Sequence, residues 1–294
     1  MRDVEGRTAF VTGGDSGIGY GIAAALRAAG ADVVICGLTQ ASVSAAVERL
    51  RSTGDAGGRA EGVVLDVRDR ARFEAVADDL ELRHGGVDIL VNNAGVGFLA
   101  PALETSFEQW DWVLQTNLTG VYNGIRTFAP RMLARGRTGH IVTTASIAGM
   151  LAGPGASYVA AKFGVVGLME ALASELRGTP VRVSVLIPGI VRTNIINGPP
   201  PPGSPTAHLP GGGALPDLYA APMEPEEVGE RVVEAIRQEQ LYLFTHTEHR
   251  ELVSRRFDAV LQSMPREEAD PVRAAVERAV LANPLYDEVL EALG

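Results

Sequence analysis

Cysteine is almost absent from this chain of 294 residues, which contains only Cys36. A single thiol excludes an internal disulfide framework and a cluster of cysteine metal ligands, and it fits a reducing compartment. Long apolar runs are also lacking, because no basic start precedes an apolar stretch and no segment of about 18 apolar residues is evident. We therefore expect a soluble cytoplasmic protein that neither spans a membrane nor is secreted.

Positive charge is in short supply as well, since the formal net charge is −10. No cluster of lysine and arginine alternates with aromatic residues, which argues against nucleic acid as a partner. The five histidines form no recognisable ligand set with nearby carboxylates, so no metal site is predicted: His84, His140, His208, His246 and His249.

The chain does contain apolar segments that alternate with helical patterns, at a length and 46% apolar content suited to one large α/β domain. This alternation predicts βαβ units, with a parallel sheet covered by helices on both faces and right-handed crossovers. The predicted strands cover residues 7–12, 32–37, 61–66, 88–92, 140–146 and 181–187, and the helices end at Ala29 or cover 41–51, 71–84, 107–135 and 158–177.

A glycine-rich segment directly follows the first predicted strand and precedes a helix. It reads Gly13-Gly14-Asp15-Ser16-Gly17-Ile18-Gly19. In this context Gly13 permits a tight turn, Gly17 lets the backbone approach a pyrophosphate, and Gly19 allows close helix packing. The free N–H groups at the helix start then face the anion, which predicts dinucleotide binding.

Asparagines mark two further places along the chain. The segment Asn92-Asn93-Ala94-Gly95 follows the fourth strand, at the sheet edge where such folds bind ligands. Asn117 lies inside a predicted helix, although its amide competes for backbone hydrogen bonds. A structural kink and a functional role explain Asn117 equally well.

Tyr158 and Lys162 are four residues apart, so that a helix would place both side chains on one face. An ammonium beside a phenol lowers the pKa of that phenol, and Tyr158 is then suited to exchange a proton with a substrate hydroxyl. Ser146 is suited to hold the substrate oxygen by a hydrogen bond. By itself this spacing also describes an ordinary helix face without chemistry.

Together these segments resemble the classical short-chain dehydrogenase/reductase family over roughly residues 6–245. The resemblance rests on T-G-x-x-x-G-x-G at residues 12–19, N-N-A-G at 92–95, Asn117, Ser146, Tyr158-x-x-x-Lys162, and Pro188-Gly189 followed by Thr193. It implies a single Rossmann-type domain with a seven-stranded parallel sheet, whose last strand lies near residues 242–245.

The resemblance also implies roles for individual residues. Tyr158 would be the acid/base, Lys162 would lower its pKa and hold the nicotinamide ribose, Ser146 would orient the substrate carbonyl, and Asn117 would support a proton relay. Asp66 and Val67 match adenine contacts, and Ile190 with Thr193 would meet the carboxamide. The remaining expected cofactor contacts are Gly13, Asp15, Ser16, Gly17, Ile18, Gly19, Leu38, Thr39, Asn93, Ala94, Gly95, Pro188 and Gly189.

The chain departs from the family pattern in two places. Ser146 and Tyr158 are twelve residues apart where thirteen is more frequent, so Thr144 and Ser157 remain alternatives to the favoured Ser146. After the second strand, Gly37 and Leu38 replace the acid typical of NAD-dependent members and the arginine of many NADP-dependent ones. With Thr39 as a donor and Asp15 adding negative charge, the sequence favours NADP only slightly over NAD.

A proline- and glycine-rich segment within residues 190–223 stands where the family carries its substrate-binding segment. A lid over the substrate and a surface insertion are both compatible with it. Its apolar residues suggest a hydrophobic substrate, in a pocket bordered by Phe98, Leu99, Met150 and Leu151: Ile195, Ile196, Leu209, Leu215, Leu218 and Tyr219.

The tail after the predicted catalytic domain, residues 1–245, is a helical extension over residues 246–294. It contains a helical stripe over residues 248–264 and a second helix over 271–281. We leave open whether these helices pack on the core, cover the site or contact a neighbouring subunit.

We therefore predict an NAD(P)(H)-dependent oxidoreductase that interconverts a secondary alcohol and a ketone. We expect a mainly hydrophobic, cyclic or aromatic substrate and a homodimer or homotetramer. In this reading hydride passes between the nicotinamide and the carbonyl carbon while Tyr158 transfers the proton. The alternatives are an epimerase or dehydratase of the same family and a catalytically silent nucleotide-binding regulator.

Overall fold

Seven strands form one parallel sheet in this computed structural model, which describes residues 1, 3–53, 57–195 and 220–294. The strand order is β3-β2-β1-β4-β5-β6-β7. Successive strands are therefore added on one side of β1 up to β3 and on its other side from β4 onward. The strands are β1 Thr8–Thr12, β2 Asp32–Gly37, β3 Ala60–Val64, β4 Ile89–Asn92, β5 Gly139–Thr144, β6 Val181–Ile187 and β7 Tyr242–Phe244. A crevice at the carboxyl ends of β1 and β4 is where such sheets bind ligands.

Helices cover both faces of the sheet and enclose two hydrophobic clusters. Because the sheet is covered on both faces, β1 and β5 are buried at every residue, including the polar residues Thr12 and His140. The helices are α1 Gly17–Ala28, α2 Gln40–Ser52, α3 Arg70–His84, α4 Phe107–Leu114, α5 Gly120–Arg135, α6 Ala156–Glu175, α7 Pro225–Gln238, α8 Arg250–Gln262, α9 Pro271–Leu281 and α10 Leu285–Leu293.

The long helix predicted over residues 107–135 is interrupted by one wide turn. Helices α4 and α5 are joined by a π-helical segment, Gln115–Thr119, which contains Asn117. Inserted π turns occur frequently at functional sites. Asn117 is fully buried there, so a local change of helix geometry and a buried polar side chain coincide.

The predicted Rossmann-type fold with seven parallel strands is confirmed. The sequence reading missed two helices, α7 and α10. Helix α7 has recognisable start signals, namely a capping box between Glu224 and Glu227 and proline at its first position. It packs against α1 and buries Val228, Val232 and Ile236.

Part of the C-terminal extension packs on this same domain. In α10, Leu285 is buried, and Tyr286 donates a hydrogen bond to Glu170 of α6 at 3.1 Å. Arg177 forms an ion pair with Glu288 at 2.5 Å. By contrast, the apolar stripe of α8 is largely exposed at Phe257, and α9 buries none of its residues.

By length and composition alone, helix α6 is long and apolar enough to span a bilayer. The sequence pattern did not predict this, because no run of about 18 apolar residues is evident there. Its residues Val165, Met169 and Leu172 are buried in the main hydrophobic cluster. A helix that is apolar on most sides is also what a protein core requires. The packing of α6 accounts for its composition.

The predicted lid falls mostly outside the described residues, which include only 190–195 and 220–223 of that segment. The predicted substrate-facing residues Ile196, Leu209, Leu215, Leu218 and Tyr219, and also His208, lie outside them. Of the expected pocket residues, Phe98 and Met150 are instead buried in hydrophobic clusters, whereas Leu99 and Leu151 are partly accessible.

Candidate active site

The glycine-rich loop between β1 and α1 leaves room for backbone only. Gly13 adopts φ +61°, and a Cβ there would lie 2.9 Å from the Cα of Ala94. A Cβ on Gly19 would collide with the carbonyl oxygen of Gly13 and the amide of Asn93. Ser16 precedes α1 without capping it through its side chain, so the first N–H groups of α1 face outward. This cradle fits the pyrophosphate of a dinucleotide.

Hydrogen bonds join the carboxyl ends of three neighbouring strands. Thr12 Oγ1 accepts from the N–H groups of Asn93 at 2.9 Å and Ala94 at 3.1 Å. The Asn93 side chain donates to the carbonyl oxygen of Thr12 at 3.2 Å and accepts from Thr144 Oγ1 at 3.1 Å. The network fixes the loop after β4 relative to the loops after β1 and β5.

Asn117 reaches the same loop from the π turn. Its Oδ1 accepts from the Val96 N–H at 2.8 Å, and its Nδ2 donates to the Val96 carbonyl at 2.8 Å. The amide therefore satisfies both polar groups of one backbone residue directly after the Asn-Asn-Ala-Gly segment. A residue with only a donor or only an acceptor would leave one of these buried groups unpaired.

Ser146 and Tyr158 are brought together although they lie on different elements. Ser146 begins a short 3₁₀ turn after β5, where its Oγ accepts from the Ala148 N–H at 3.1 Å. Tyr158 lies in the first turn of α6 and is half-buried. Burial raises the pKa of Tyr158, while the nearby Ser146 hydroxyl acts in the opposite direction.

Neither alternative to Ser146 forms a hydrogen bond with Tyr158 among the described residues. Thr144 Oγ1 donates to Asn93, and Ser157 is fully buried. Within the part of the chain that the structure describes, Ser157 Oγ has no hydrogen-bond partner. The Ser146 hydroxyl, by contrast, lies beside the Tyr158 phenol and acts on its pKa.

Lys162 lies one helical turn beyond Tyr158 and is 3% exposed. Its Nζ donates to the carbonyl oxygen of Thr144 at 2.8 Å and lies 5.7 Å from the centre of the Tyr158 ring. Burial lowers the pKa of Lys162 from 10.5 to about 8. The ammonium does not reverse the upward shift in the pKa of Tyr158, so the expected lowering of that pKa by Lys162 stays a prediction.

The Pro188-Gly189 turn is held from the far end of the sheet. The Gly189 N–H donates to His246 Nδ1 at 3.2 Å, and the His246 ring stacks on His249 with their centres 5.4 Å apart. Burial, with His246 beside it, lowers the pKa of His249. The two histidines thus support a predicted cofactor loop, and the described residues contain no group of three or more potential metal ligands.

At the predicted adenine end, several candidate residues have structural tasks of their own. Thr39 caps α2, its Oγ1 accepting from the Ser42 N–H at 3.2 Å. Asp66 is paired with Arg68 at 2.6 Å, and this ion pair lowers the pKa of Asp66. Val67 is buried and its carbonyl accepts from Asn123 at 2.9 Å. Leu38 is 63% exposed.

The remaining cofactor candidates follow the same edge of the sheet. Gly17 and Ile18 begin α1, and Thr193 approaches Gly17, where a Cβ would lie 3.1 Å from the Thr193 methyl. Ile190 is exposed, and its carbonyl faces His246 Nε2 at 3.2 Å. Gly95 borders Asn117, whose Oδ1 would lie 3.2 Å from a Cβ placed there.

Two structural partners of the site were missed from sequence: His246 and the backbone carbonyl of Thr144. No local pattern marks them, because each acts on a residue far away along the chain. Thr12 opens the quoted glycine motif, but its hydrogen bonds to the loop of Asn93 were not predicted. A stronger signal was available for Lys162, the only lysine among 26 lysine and arginine residues. A chain that uses arginine everywhere else has retained the one cation whose pKa shifts readily on burial.

Comparison with known proteins identifies the family. The family model described as short chain dehydrogenase matches residues 7–199. The chain is 34% identical over 282 residues to the C alpha-dehydrogenase of Sphingobium sp. (strain NBRC 103272 / SYK-6), covering 92% of this chain and 90% of that protein.

Solved structures are similar over nearly the whole chain. A short-chain dehydrogenase from Novosphingobium aromaticivorans, described there as putative, has a TM-score of 0.83 and 36% identity, covering 99% of this chain and 98% of its own. A short chain dehydrogenase/reductase from Burkholderia phymatum in complex with NAD has a TM-score of 0.79 and 32% identity, covering 92% and 100%. The chain belongs to the short-chain dehydrogenase/reductase family of NAD(P)-dependent oxidoreductases.

Proposed function

We propose that this enzyme interconverts a secondary alcohol and a ketone on a mainly hydrophobic, cyclic or aromatic substrate, with Tyr158 as the proton-transferring residue. The observation that carries the proposal is the position of the Ser146 hydroxyl beside the Tyr158 phenol, with the buried amine of Lys162 one helical turn away. These three groups meet next to the glycine cradle, so a substrate oxygen and a dinucleotide can be held side by side.

Each of the three side chains has a separate task in the proposed reaction. Tyr158 accepts the hydroxyl proton during oxidation and returns it during reduction. Ser146 donates a hydrogen bond to the substrate oxygen, where negative charge develops. Lys162, protonated near neutral pH because the pKa of its amine is about 8, stabilises the Tyr158 phenolate electrostatically. A bound nicotinamide supplies hydride donor or acceptor chemistry.

The dinucleotide itself would be held by residues of the cradle and its neighbours. Gly13, Gly17 and Gly19 allow backbone approach to the pyrophosphate, and the loop of Asn93 to Gly95 borders the nicotinamide side. The NAD complex of the Burkholderia phymatum relative supports a nicotinamide cofactor here. Asn117 positions Val96 beside that loop, and we propose that it also supports the proton relay.

We further propose a homodimer or homotetramer in the cytoplasm. Large apolar side chains are exposed on α4, α5 and α8, among them Phe107, Tyr122 and Phe257, as expected of surfaces that partner subunits cover. The lid over residues 190–223 and the catalytic domain over 1–245, with its extension over 246–294, remain part of the proposal. Light scattering on purified protein tests the assembly.

The experiment that tests the function combines cofactor and substrate. Purified enzyme is incubated with NAD or NADP and a panel of aromatic and alicyclic secondary alcohols, and with the reduced forms and the matching ketones. We expect substrate-dependent change in absorbance of the nicotinamide. Product formation without such a change would instead indicate an epimerase or dehydratase, and cofactor binding without any product would indicate a nucleotide-binding regulator.

A further inference from the structure

Gly37 ends β2 without a side chain, and the carboxylate of Asp15 fills the space where one would lie. A Cβ built on Gly37 would be 2.5 Å from Asp15 Cγ and 2.9 Å from Asp15 Oδ1. Asp15 belongs to the glycine loop after β1, and β1 pairs with β2 along its length. A carboxylate therefore stands at the end of β2 although the chain has none there in sequence.

A second observation places the same charge at this point. Burial raises the pKa of the neighbouring Cys36 thiol to about 12, and the negative charge of Asp15 contributes to that rise. Asp15 itself is only partly buried. Among residues 1, 3–53, 57–195 and 220–294, none forms a hydrogen bond or ion pair with its side chain. The carboxylate is thus available as an acceptor beside the cofactor cradle.

Few positive charges lie close enough to offset the negative charge of the Asp15 carboxylate. The three residues after Gly37 are Leu38, Thr39 and Gln40, all uncharged. Arg68, at the neighbouring end of β3, already binds Asp66 through three contacts of 2.6 to 3.1 Å. The start of α2 carries a partial charge of roughly +0.5, which is smaller than the full negative charge of a carboxylate.

We propose that Asp15 takes over the task of the acid that is missing at position 37 and makes NAD(H) the preferred cofactor over NADP(H). In dinucleotide-binding folds a carboxylate at the end of the second strand accepts from the ribose 2′-hydroxyl. The same carboxylate repels a 2′-phosphate, whose charge near neutral pH is about −1.5 to −2. The inference rests on the proposed function, and it reverses the slight preference for NADP that the sequence alone suggests.

Thr39 does not supply the compensating donor that its position suggests. Its hydroxyl hydrogen is directed to Ser42 Oγ at 2.9 Å, and its oxygen accepts from the Ser42 N–H. Binding a phosphate through Thr39 would disrupt the cap of α2. The geometry therefore leaves Asp15 as the group that decides between the two cofactors at this edge.

Binding rather than turnover tests the inference, because the readout must not depend on an unidentified substrate. The affinities of NADH and NADPH are measured by nicotinamide fluorescence and checked by calorimetry with the full-length protein. We expect NADH to bind at least about tenfold more tightly, which corresponds to 1.4 kcal/mol. Added salt should narrow this ratio, because it screens the repulsion of the 2′-phosphate.

The decisive variant is Asp15→Asn, which keeps the shape of the side chain and removes its charge. We expect it to bind NADPH about tenfold more tightly than the unmodified enzyme and NADH slightly less tightly. Asp258→Asn, which removes one charge from the exposed surface of α8, is the matched control and should leave both affinities unchanged. Leu38→Arg, which adds a cation without touching the glycine loop, should favour NADPH even if Asp15→Asn does not fold.

The outcomes separate this inference from the proposed function. If neither NADH nor NADPH binds, the proposed function itself fails. If both bind with equal affinity, or if Asp15→Asn folds and leaves their ratio unchanged, the enzyme remains a nicotinamide-dependent oxidoreductase and only the role of Asp15 is refuted. Weaker binding of NADPH with unchanged binding of NADH in an Arg68→Ala variant would identify Arg68 as a phosphate ligand and would equally overturn the inference.

Discussion

One side chain of the π turn, Asn117, pairs with both backbone polar groups of Val96, each at 2.8 Å. The pairing joins the interruption between α4 and α5 to the loop that follows β4. Because Asn117 is fully buried and both ends of its amide are bound to Val96, the side chain holds this backbone in place. The wide turn and the loop beside the predicted nicotinamide site are therefore one mechanical unit.

Replacing Asn117 by alanine should lower both stability and turnover. Two partly buried backbone groups lose their partners, at a cost of about 1–3 kcal/mol each, so we expect a loss of roughly 2–6 kcal/mol in the free energy of unfolding. We also expect kcat to fall at least about tenfold, since Val96 follows the Asn93 to Gly95 loop. Urea unfolding and initial rates provide the two measurements.

The matched control for this change is Asn123→Ala in α5. Asn123 is also buried, and its amide donates to the Val67 carbonyl at 2.9 Å, at the predicted adenine end. It should cost comparable stability and weaken cofactor binding without the same loss in kcat. Equal effects of both variants on kcat would mean that Asn117 acts only through stability.

The sheet was readable from sequence because its strands are buried on both faces and therefore appear as apolar runs, as in β2 and β6. The pairing of Tyr158 with Lys162 was readable because it depends only on helical spacing. That Tyr158 and Lys162 lie next to the glycine cradle can be predicted only if the strand order is known. The family resemblance implied this order, whereas the residue patterns alone do not.

The features that were not readable depend on contacts between distant residues. Asparagine inside a helical pattern indicated a kink or a function at Asn117, but it did not indicate a π turn or the hydrogen bond to Val96, which lies 21 residues earlier in the chain. The placement of the Asp15 carboxylate at Gly37 needs the register of β1 against β2. Helix α10 is short, and its attachment depends on Glu170, which lies 116 residues before Tyr286.

Tyr158→Phe should remove turnover and leave dinucleotide binding nearly unchanged. The phenol is the proposed proton donor and acceptor, and loss of general acid–base catalysis lowers rates by about 10²–10⁴-fold. Steady-state kinetics and fluorescence titration measure the two effects on the same protein. Tyr122→Phe, at an exposed position on α5, is the control and should retain full activity. Unchanged turnover in Tyr158→Phe would refute the proposed mechanism.

Lys162 should titrate with a pKa of about 8, because burial disfavours its charged form relative to the ordinary value of 10.5. Since it is the only lysine, selective ¹⁵N-lysine labelling yields a single side-chain signal whose shift can be followed with pH. A titration midpoint at 10 or above would show that the amine is solvated and that its burial is not what the structure indicates.

The lowered pKa of Lys162 also predicts that its buried charge, which the proposed function requires, reduces the stability of the protein. The folded pKa lies below the unfolded one, so stability decreases as pH falls from 10.5 to about 8 and is fully reduced, by about 3 kcal/mol, below that window. Lys162→Met should therefore stabilise the protein at pH 7 by about 1–2 kcal/mol, after allowing for the unpaired Thr144 carbonyl, while abolishing activity. Lys162→Arg, which cannot lose its charge, should destabilise it. Urea unfolding at pH 7 and pH 10 distinguishes the two.

Leu285 should anchor the C-terminal extension. It is 6% exposed and packs on the main hydrophobic cluster, whereas Leu290 of the same helix is 68% exposed. Leu285→Ala should cost about 2–3 kcal/mol and increase hydrogen exchange throughout α10, while Leu290→Ala should change stability by less than about 0.5 kcal/mol. Equal effects of the two variants would mean that α10 does not dock through Leu285.

His140 should make the enzyme sensitive to acid. It is fully buried in β5, where its Nε2 donates to Ser184 Oγ at 2.8 Å while Ser184 donates onward to the Gln240 carbonyl. Burial lowers the pKa of His140 from 6.5 to about 3, so the folded state keeps it neutral. The unfolded chain binds the extra proton, and stability is therefore present above pH 6.5 and lost as pH falls towards 3. At pH 5 the stability lost through His140 amounts to about 2 kcal/mol.

His140→Leu should be less stable than the unmodified enzyme at pH 7.5, because Ser184 loses its donor. Between pH 7.5 and pH 5, however, the variant should lose about 2 kcal/mol less than the unmodified enzyme. Parallel losses in the two proteins, measured by urea unfolding, would show that another group governs the acid response.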